Sequence, residues 1–229
     1  MTCDQFRLGR KNAGLTQVQA AAKLGLSQPY LSQLECGRRP VTHRLARAAA
    51  KLFRLPATTL PMPHEPQPQT RSTDWFVRAL AALGYPGYGH VRATRPVNPA
   101  RMVLEALSQD NLDARVAAAL PWVFLKYSDL DWKWLLAHAK LRNLQNRLGF
   151  LVALARDVAA GQPRWVQASA RLAAVERELE RARLVSESTL CREGMPAAER
   201  QWLLEQRSSQ GRHWNVLTSL ASEHLRYGS

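Results

Sequence analysis

The sequence predicts an all-α chain: a small N-terminal helical domain, a proline-rich linker and a larger helical domain. Three observations predict it. Ala, Leu, Arg and Gln dominate the 229 residues and β-branched runs are scarce, a composition that favours helix over strand. Apolar residues recur at three-and-four spacing in one segment after another, and many segments are opened by Ser, Thr, Asn or Asp or closed by Gly or Pro. Residues 56–73, PATTLPMPHEPQPQTRST, hold five prolines and almost no large apolar side chain after Met62. Such a stretch reads as an extended, semi-rigid spacer. The predicted domains are 1–58 and 74–229, with the linker at 59–73.

The first domain is organised around residues 15–39, LTQVQAAAKLGLSQPYLSQLECGRR. A helix over 4–13 precedes it, with Phe6 inward and Arg7 and Lys11 four apart on one face, placed for phosphate. Thr16 caps a helix over 17–24 and Gly25 supplies a turn. Ser27 caps a second helix over 28–36, and Gly37 ends it. Ala20 and Leu24 share a face of the first of these helices, Leu31 and Leu34 a face of the second, and the two faces pack together. Gln28, Tyr30, Ser32 and Gln33 are then left outside or at the rim, with side chains suited to base edges and phosphates. A fourth helix over 42–53, capped by Thr42, turns Leu45, Ala49, Leu52 and Phe53 inward. Its other side carries Arg44, Arg47, Lys51 and Arg54. Leu55-Pro56 stops it, because the residue before proline disfavours the helical region, and a short fifth turn follows at 57–60.

This arrangement resembles the helix-turn-helix of the phage-repressor class, the Cro/repressor or Xre family. The resemblance rests on the Gly-Leu-Thr-Gln entry at 14–17, the small residues Ala20 and Ala21, Gly25, the Ser27-Gln28 opening and the Leu34-Glu35-x-Gly37-Arg38 close. It spans residues 4–56 and implies a five-helix repressor-like domain that docks its second motif helix in the major groove of double-stranded DNA. It also implies that Arg10 pairs with Glu35 as structural support and that Gln17 clamps a phosphate. Gln28, at the N-terminus of the recognition helix, is the leading base reader, since Gln bonds adenine bidentately. The full DNA-contacting set is Gln17, Ser27, Gln28, Pro29, Tyr30, Ser32, Gln33, Arg38 and Arg39. Pro29 stands where relatives often carry a polar residue.

The second domain reads as helices in series. Residues 74–83 carry Trp75, Phe76 and Leu80, and a turn-rich loop over 84–90 shows two tyrosines to solvent. Asn98 caps a helix with Pro99 at its first position. A helix from Asn111 toward Tyr127 bends or breaks at Pro121. Residues 128–131 open the next helix, which carries Trp132, Leu135 and Leu136. A long amphipathic helix over 141–160 sets Leu144, Leu148, Leu151, Val152, Ala155 and Val158 on one face, and Gly161 stops it. A further helix over 163–185, with mixed charges outside a Leu172, Val175, Leu179 and Ala182 stripe, is either a protruding arm or a dimer seam. Helices over 196–207 and 210–226 close the chain.

The net charge is +14, of which residues 1–71 supply +8 from 11 Lys/Arg against 3 Asp/Glu, so the basic excess is concentrated in the first domain. That fits a polyanionic partner. Cys3, Cys36 and Cys191 show no CxxC spacing, which argues against a zinc site or disulfide framework. Cys191, near Arg192, reads as a plain small hydrophobe rather than a redox-sensitive thiol. Asp129 and Asp131 read as helix-start residues, and His138 and His213 as surface or core-edge residues. The glycines at 84, 87 and 89 match no phosphate loop. Trp122, Trp132, Trp134, Trp165, Trp202 and Trp214 fall mostly at core spacing, leaving one or two for a ligand cleft or a protein-binding face. No cofactor, metal or catalytic residue is expected, and an enzyme is the least favoured class. The chain lacks a signal-peptide core at its start and a run long enough to span a membrane, so a cytoplasmic protein is expected.

The function so predicted is a sequence-specific DNA-binding regulator, acting as a repressor and a homodimer. Residues 110–205 are similar to antitoxin regulators paired with nucleotidyltransferase-like toxins of the abortive-infection kind. That resemblance implies an autoregulator whose second domain binds a cognate toxin. The alternative is a ligand-responsive repressor whose aromatic helical domain senses a small molecule or peptide.

Overall fold

The computed structural model describes residues 1–63, 65–93, 96–192, 194–225 and 227. They fall into two compact units, Met1–Pro66 and Gln67–Ser229. The fold is all-α, with twelve α-helices and two strands of two residues each among the described residues.

The first unit holds α1 (Cys3–Asn12), α2 (Gln17–Leu24), α3 (Gln28–Glu35), α4 (His43–Leu52) and a 3-10 turn at Ala57–Thr59. Each α-helix begins where a hydroxyl caps it. Thr2, Thr16, Ser27 and Thr42 accept from the backbone N–H of Gln5, Gln19, Tyr30 and Leu45. These bonds satisfy amides that the first turn leaves orphaned. Thr2 and Gln5 form a reciprocal capping box, which starts α1 a residue before the position expected from sequence. The core joins Phe6, Ala20, Ala21, Leu31, Leu34, Ala49 and Phe53. The Phe6 and Phe53 rings meet edge to face at 5.4 Å and tie α1 to the end of α4.

The second unit contains α5 (Thr73–Ala82), α6 (Pro99–Leu107), α7 (Ala114–Lys126), α8 (Trp132–Leu141), α9 (Gln145–Ala159) and α10 (Val166–Glu180). Then come β1 (Ser188–Thr189), α11 (Ala197–Glu205), α12 (Ser209–His213) and β2 (Val216–Leu217). The strands pair in parallel, Ser188 against Val216 and Thr189 against Leu217. Helix α9 is the axis, with α7, α8, α10 and α12 packed around it. Residues 145–155 are all buried, so α9 is a central helix rather than the one-faced helix its spacing predicts. Trp214, fully buried, packs so closely that a Cβ on Gly149 would fall 2.3 Å from its ring.

Several boundaries differ from the sequence expectation. The helix expected over 141–160 starts later, as α9 at Gln145, because Leu141 still belongs to α8 and Asn143 adopts a left-handed conformation (φ 55°) between the two. Helix α7 starts at Ala114, where the Asp113 carboxylate accepts from the amides of Arg115 and Val116, and it continues through Pro121. The helix expected over 163–185 is a 3-10 turn at Pro163–Trp165 followed by α10, which ends at Glu180. Its Leu172, Val175 and Leu179 stripe is buried within the unit against α9, so it is neither a protruding arm nor a free seam. The last expected helix stops at His213; Asn215 (φ 53°) turns the chain into β2, and the expected end at Arg226 lies outside the described residues. Tyr85 and Tyr88 are half-buried rather than exposed, Tyr85 meeting Tyr88 and Trp122 at 5.3 Å each.

Candidate nucleic-acid interface

Helices α2 and α3 are joined by the turn that Gly25 permits with φ 68°, a conformation costly for other residues. Leu31 and Leu34 are fully buried against α1 and α2, which fixes the roll of α3 about its own axis. With that roll set, Gln28, Pro29 and Gln33 are exposed, while Tyr30 and Ser32 are half-buried. Tyr30 packs against the edge of the core cluster and leaves only part of its ring for a partner. Pro29 sits in the first turn of α3, where the missing N–H removes no helical bond. Ser27 Oγ is the cap, accepting from the Tyr30 amide at 3.4 Å. After Gly37 (φ 71°), the amides of Arg38 and Arg39 donate to the Gln33 carbonyl at 2.9 and 3.3 Å, and both side chains are exposed.

A chain of polar contacts runs beneath this surface. Arg10 Nε donates to Glu35 Oε1 at 2.5 Å and a terminal guanidinium nitrogen to Oε2 at 3.0 Å, a two-point pair with both residues buried. The guanidinium also donates to the Leu15 carbonyl at 2.7 Å, so it holds the α1–α2 connection as well. Gln17 Nε2 donates to Glu35 Oε2 at 2.9 Å, and Gln28 Nε2 donates to Gln17 Oε1 at 2.8 Å. Burial by itself raises the Glu35 carboxyl. The hydrogen bonds from Arg10 and Gln17 and the positive charges of Arg10 and Arg7 outweigh it and hold the group below its ordinary range. The Arg10 guanidinium is correspondingly raised, chiefly by its hydrogen bond to Glu35.

The consequence is a Gln28 amide held in one orientation. One N–H is committed to Gln17, which leaves the second N–H and the carbonyl oxygen for a partner beyond the protein surface. Those two groups are the ones a glutamine presents to adenine. Gln17 donates to Glu35 and accepts from Gln28, so it links the buried pair to the exposed amide. Arg7, expected at phosphate, forms an exposed ion pair with Asp4 at 3.1 Å. The Arg10–Glu35 pair was legible from the family resemblance. The Gln17–Gln28 and Gln17–Glu35 bonds were not read from the sequence, although the two short caps that bring the α2 and α3 N-termini together are its signal.

Other candidate groups resolve into structure. Burial pushes the Cys191 thiol up to about 11, so it stays protonated and unreactive near neutrality. The Asp131 carboxylate caps α8 by accepting from the Trp134 amide at 3.0 Å. His213 Nε2 lies 2.8 Å from Glu180 on the surface. Among the described residues, no three of His, Cys, Asp or Glu gather as a metal would need, and no helix is long and apolar enough to cross a membrane.

Residues 4–61 match the family of helix-turn-helix domains. No curated protein and no solved structure matches the chain. The matched segment takes in α1 to α4 and the turn after them, so the geometry and the match together support a DNA-binding regulator.

Proposed function

We propose that the chain is a sequence-specific repressor of the phage-repressor (Xre) class, working in the cytoplasm as a homodimer on double-stranded DNA. Gln28 reads a base edge, Gln17 orients it, and Arg38 and Arg39 meet the backbone on leaving α3. Ser27, Pro29, Tyr30, Ser32 and Gln33 complete the contacting face. The observation that carries this reading is the relay from the buried Arg10–Glu35 pair through Gln17 to the exposed Gln28 at the start of α3. It is tested by selecting bound duplexes from a random pool and repeating the selection with Gln28→Ala. One enriched motif with wild type, relaxed at a single position by the variant, is expected. No enriched motif would overturn the reading.

For the second unit, the proposal is a protein partner, a cognate toxin, with the chain acting as an autoregulatory antitoxin. The resemblance of residues 110–205 supports it. So does α11, which buries none of its residues and leaves Trp202 54% exposed. A pull-down from nuclease-treated native lysate decides it: a stoichiometric product of a neighbouring gene is expected, and none would remove the toxin reading. The second reading, a ligand-responsive repressor, is favoured by one observation, a polar cavity of about 350 Å³ at the start of α9.

A further inference from the structure

Helix α4 turns one side to solvent, and that side is basic. Arg44, Arg47 and Lys51 are exposed at spacings of three and four residues, which sets them in a row along the helix. Arg54, also exposed, follows directly after the cap residue Phe53 and extends the row. From Arg44 to Lys51 the row spans about 10 Å at the helical rise per residue. Ala48, exposed beside it, adds no bulk that would keep a partner away.

The row has no neutralising partner of its own. Residues 1–66 contain three carboxylates, Asp4, Glu35 and Glu65. Asp4 is paired with Arg7, Glu35 is buried with Arg10, and Glu65 lies in the proline-rich segment. Among the described residues no carboxylate forms an ion pair with the four cations. Cations on successive turns suit a phosphate backbone, whose charges recur about every 3.4 Å along a strand, better than a small anion, which needs donors converging on one point.

The backbone at Arg54 is an independent observation. The three preceding helices each give way to a left-handed glycine, Gly14, Gly25 and Gly37, at φ 67°, 68° and 71°. Helix α4 gives way to Arg54 at φ 54°, the one non-glycine residue at positive φ among the described residues of the first unit. Glycine takes this conformation without steric cost and arginine does not. Such strained positions persist where the side chain is used. The row also continues an interface: Arg44 stands five residues after Arg39, whose amide is tied to the Gln33 carbonyl near the end of α3.

We propose that the outer face of α4, with Arg54, holds the phosphate backbone of the duplex flanking the half-site that α3 reads. Each protomer then covers more DNA than its recognition helix does. The inference rests on the reading of α3 as the DNA-docking helix and adds a second contact surface to it.

The test is fluorescence anisotropy of the full chain at several salt concentrations on wild type, Arg54→Gly, Lys51→Gln and Lys133→Gln. The probes are random-sequence duplexes of about 20 base pairs, enough for two half-sites and no flank, and of about 60 base pairs. On the long duplex Arg54→Gly and Lys51→Gln should each lower the slope of log affinity against log salt by about one unit for each protomer bound. On the short duplex both should match wild type. Lys133→Gln removes an equal charge from the exposed side of α8 and should change neither slope. Arg54→Gly should unfold at the wild-type temperature or above it, so its loss of slope cannot come from damage to the fold. Unchanged slopes in both α4 variants on the long duplex overturn the proposal. So does an equal drop in Lys133→Gln, which would leave net charge as the cause. A drop of the same size on the short duplex would move the row onto the half-site and overturn the flank. A labelled short duplex captured on a bead-bound one by wild type, and not by Arg54→Gly, would assign the row to a second duplex and overturn the flank as well. Failure of every form to bind the short duplex removes the reading of α3 instead, and is told apart because the two duplexes are titrated separately.

Discussion

In the proposed readout Gln28 is the base-reading side chain, and its amide is hydrogen-bonded to Gln17 without DNA. A glutamine that must be ordered on binding gives up rotamer freedom, whereas this one is held by Gln17. Replacing Gln28 by Ala should therefore cost about 1–3 kcal/mol of specific affinity and leave binding to random duplex nearly unchanged. Competition titrations against operator and random DNA check this, and an equal loss on both would contradict base readout. Arg10 lies at the other end of the relay and plays a different part. Arg10→Ala leaves Glu35 charged and buried without its partner, so the first unit should lose about 3–5 kcal/mol while operator choice stays the same. Hydrogen exchange of the amides of residues 1–66 reads the loss. A change in preferred sequence with unchanged protection would sink the structural role. The pH dependence follows from the same pair. The folded Glu35 carboxyl is lowered, so its contribution is present above the ordinary carboxylate range, about 4.3, and is lost as pH falls through the lower folded value. Acid should loosen this unit with wild-type Arg10, whereas in Arg10→Ala, where burial is no longer outweighed by the Arg10 charge and hydrogen bond, protonation of Glu35 relieves the buried charge and this part of the acid loss should shrink or reverse.

Helix boundaries in this chain are set by single residues whose effect is local. Asn143 shows this most clearly. Its φ of 55° ends α8 and lets α9 start on a new axis. Asn143→Gly should keep or slightly raise stability, since glycine adopts this conformation without steric cost. Asn143→Val should cost about 1–2 kcal/mol, because a β-branched residue resists it. Urea unfolding of the two variants checks this, and a valine variant as stable as wild type would show that the break is made elsewhere. The same position explains what the sequence could and could not convey. The first unit was legible because Thr16, Ser27 and Thr42 cap, and Gly25 and Gly37 turn, within a few residues of the helices they bound. The second unit was less so. Apolar spacing runs from Leu141 through Leu144 and Leu148 without interruption, and asparagine is a weaker stop signal than glycine, so the start of α9 reads about four residues too early. Asn215 hid the end of α12 in the same way, and two-residue strands have no periodicity to detect. The contacting residues of α3 were readable one by one from the motif. The bonds joining them were not, since Gln17 and Gln28 stand 11 residues apart and Gln17 and Glu35 stand 18 apart.

At the scale of the whole molecule, charge and symmetry together make a quantitative demand. The chain carries +14, with +8 of it in residues 1–71. Long-range attraction of that sign raises affinity for any duplex, and salt removes it by restoring counterions to the phosphates. A homodimer would lay two copies of α3 into successive major-groove faces about 34 Å apart. With about 8 phosphates neutralised by the pair, log affinity should fall against log salt with a slope of about −7. A lone protomer would make about half the contacts and give about half the slope, so the titration reports stoichiometry as well as charge. Arg38→Ala should lower the slope by about one unit for each protomer bound, and it should weaken operator and random DNA alike, because a phosphate contact carries no sequence information. Fluorescence anisotropy at several salt concentrations measures both quantities on the full chain. An unchanged slope in Arg38→Ala would remove Arg38 from the backbone contacts. A wild-type slope near half the expected value, on an operator carrying both half-sites, would show that one copy binds alone, and the spacing argument would then fall with the dimer.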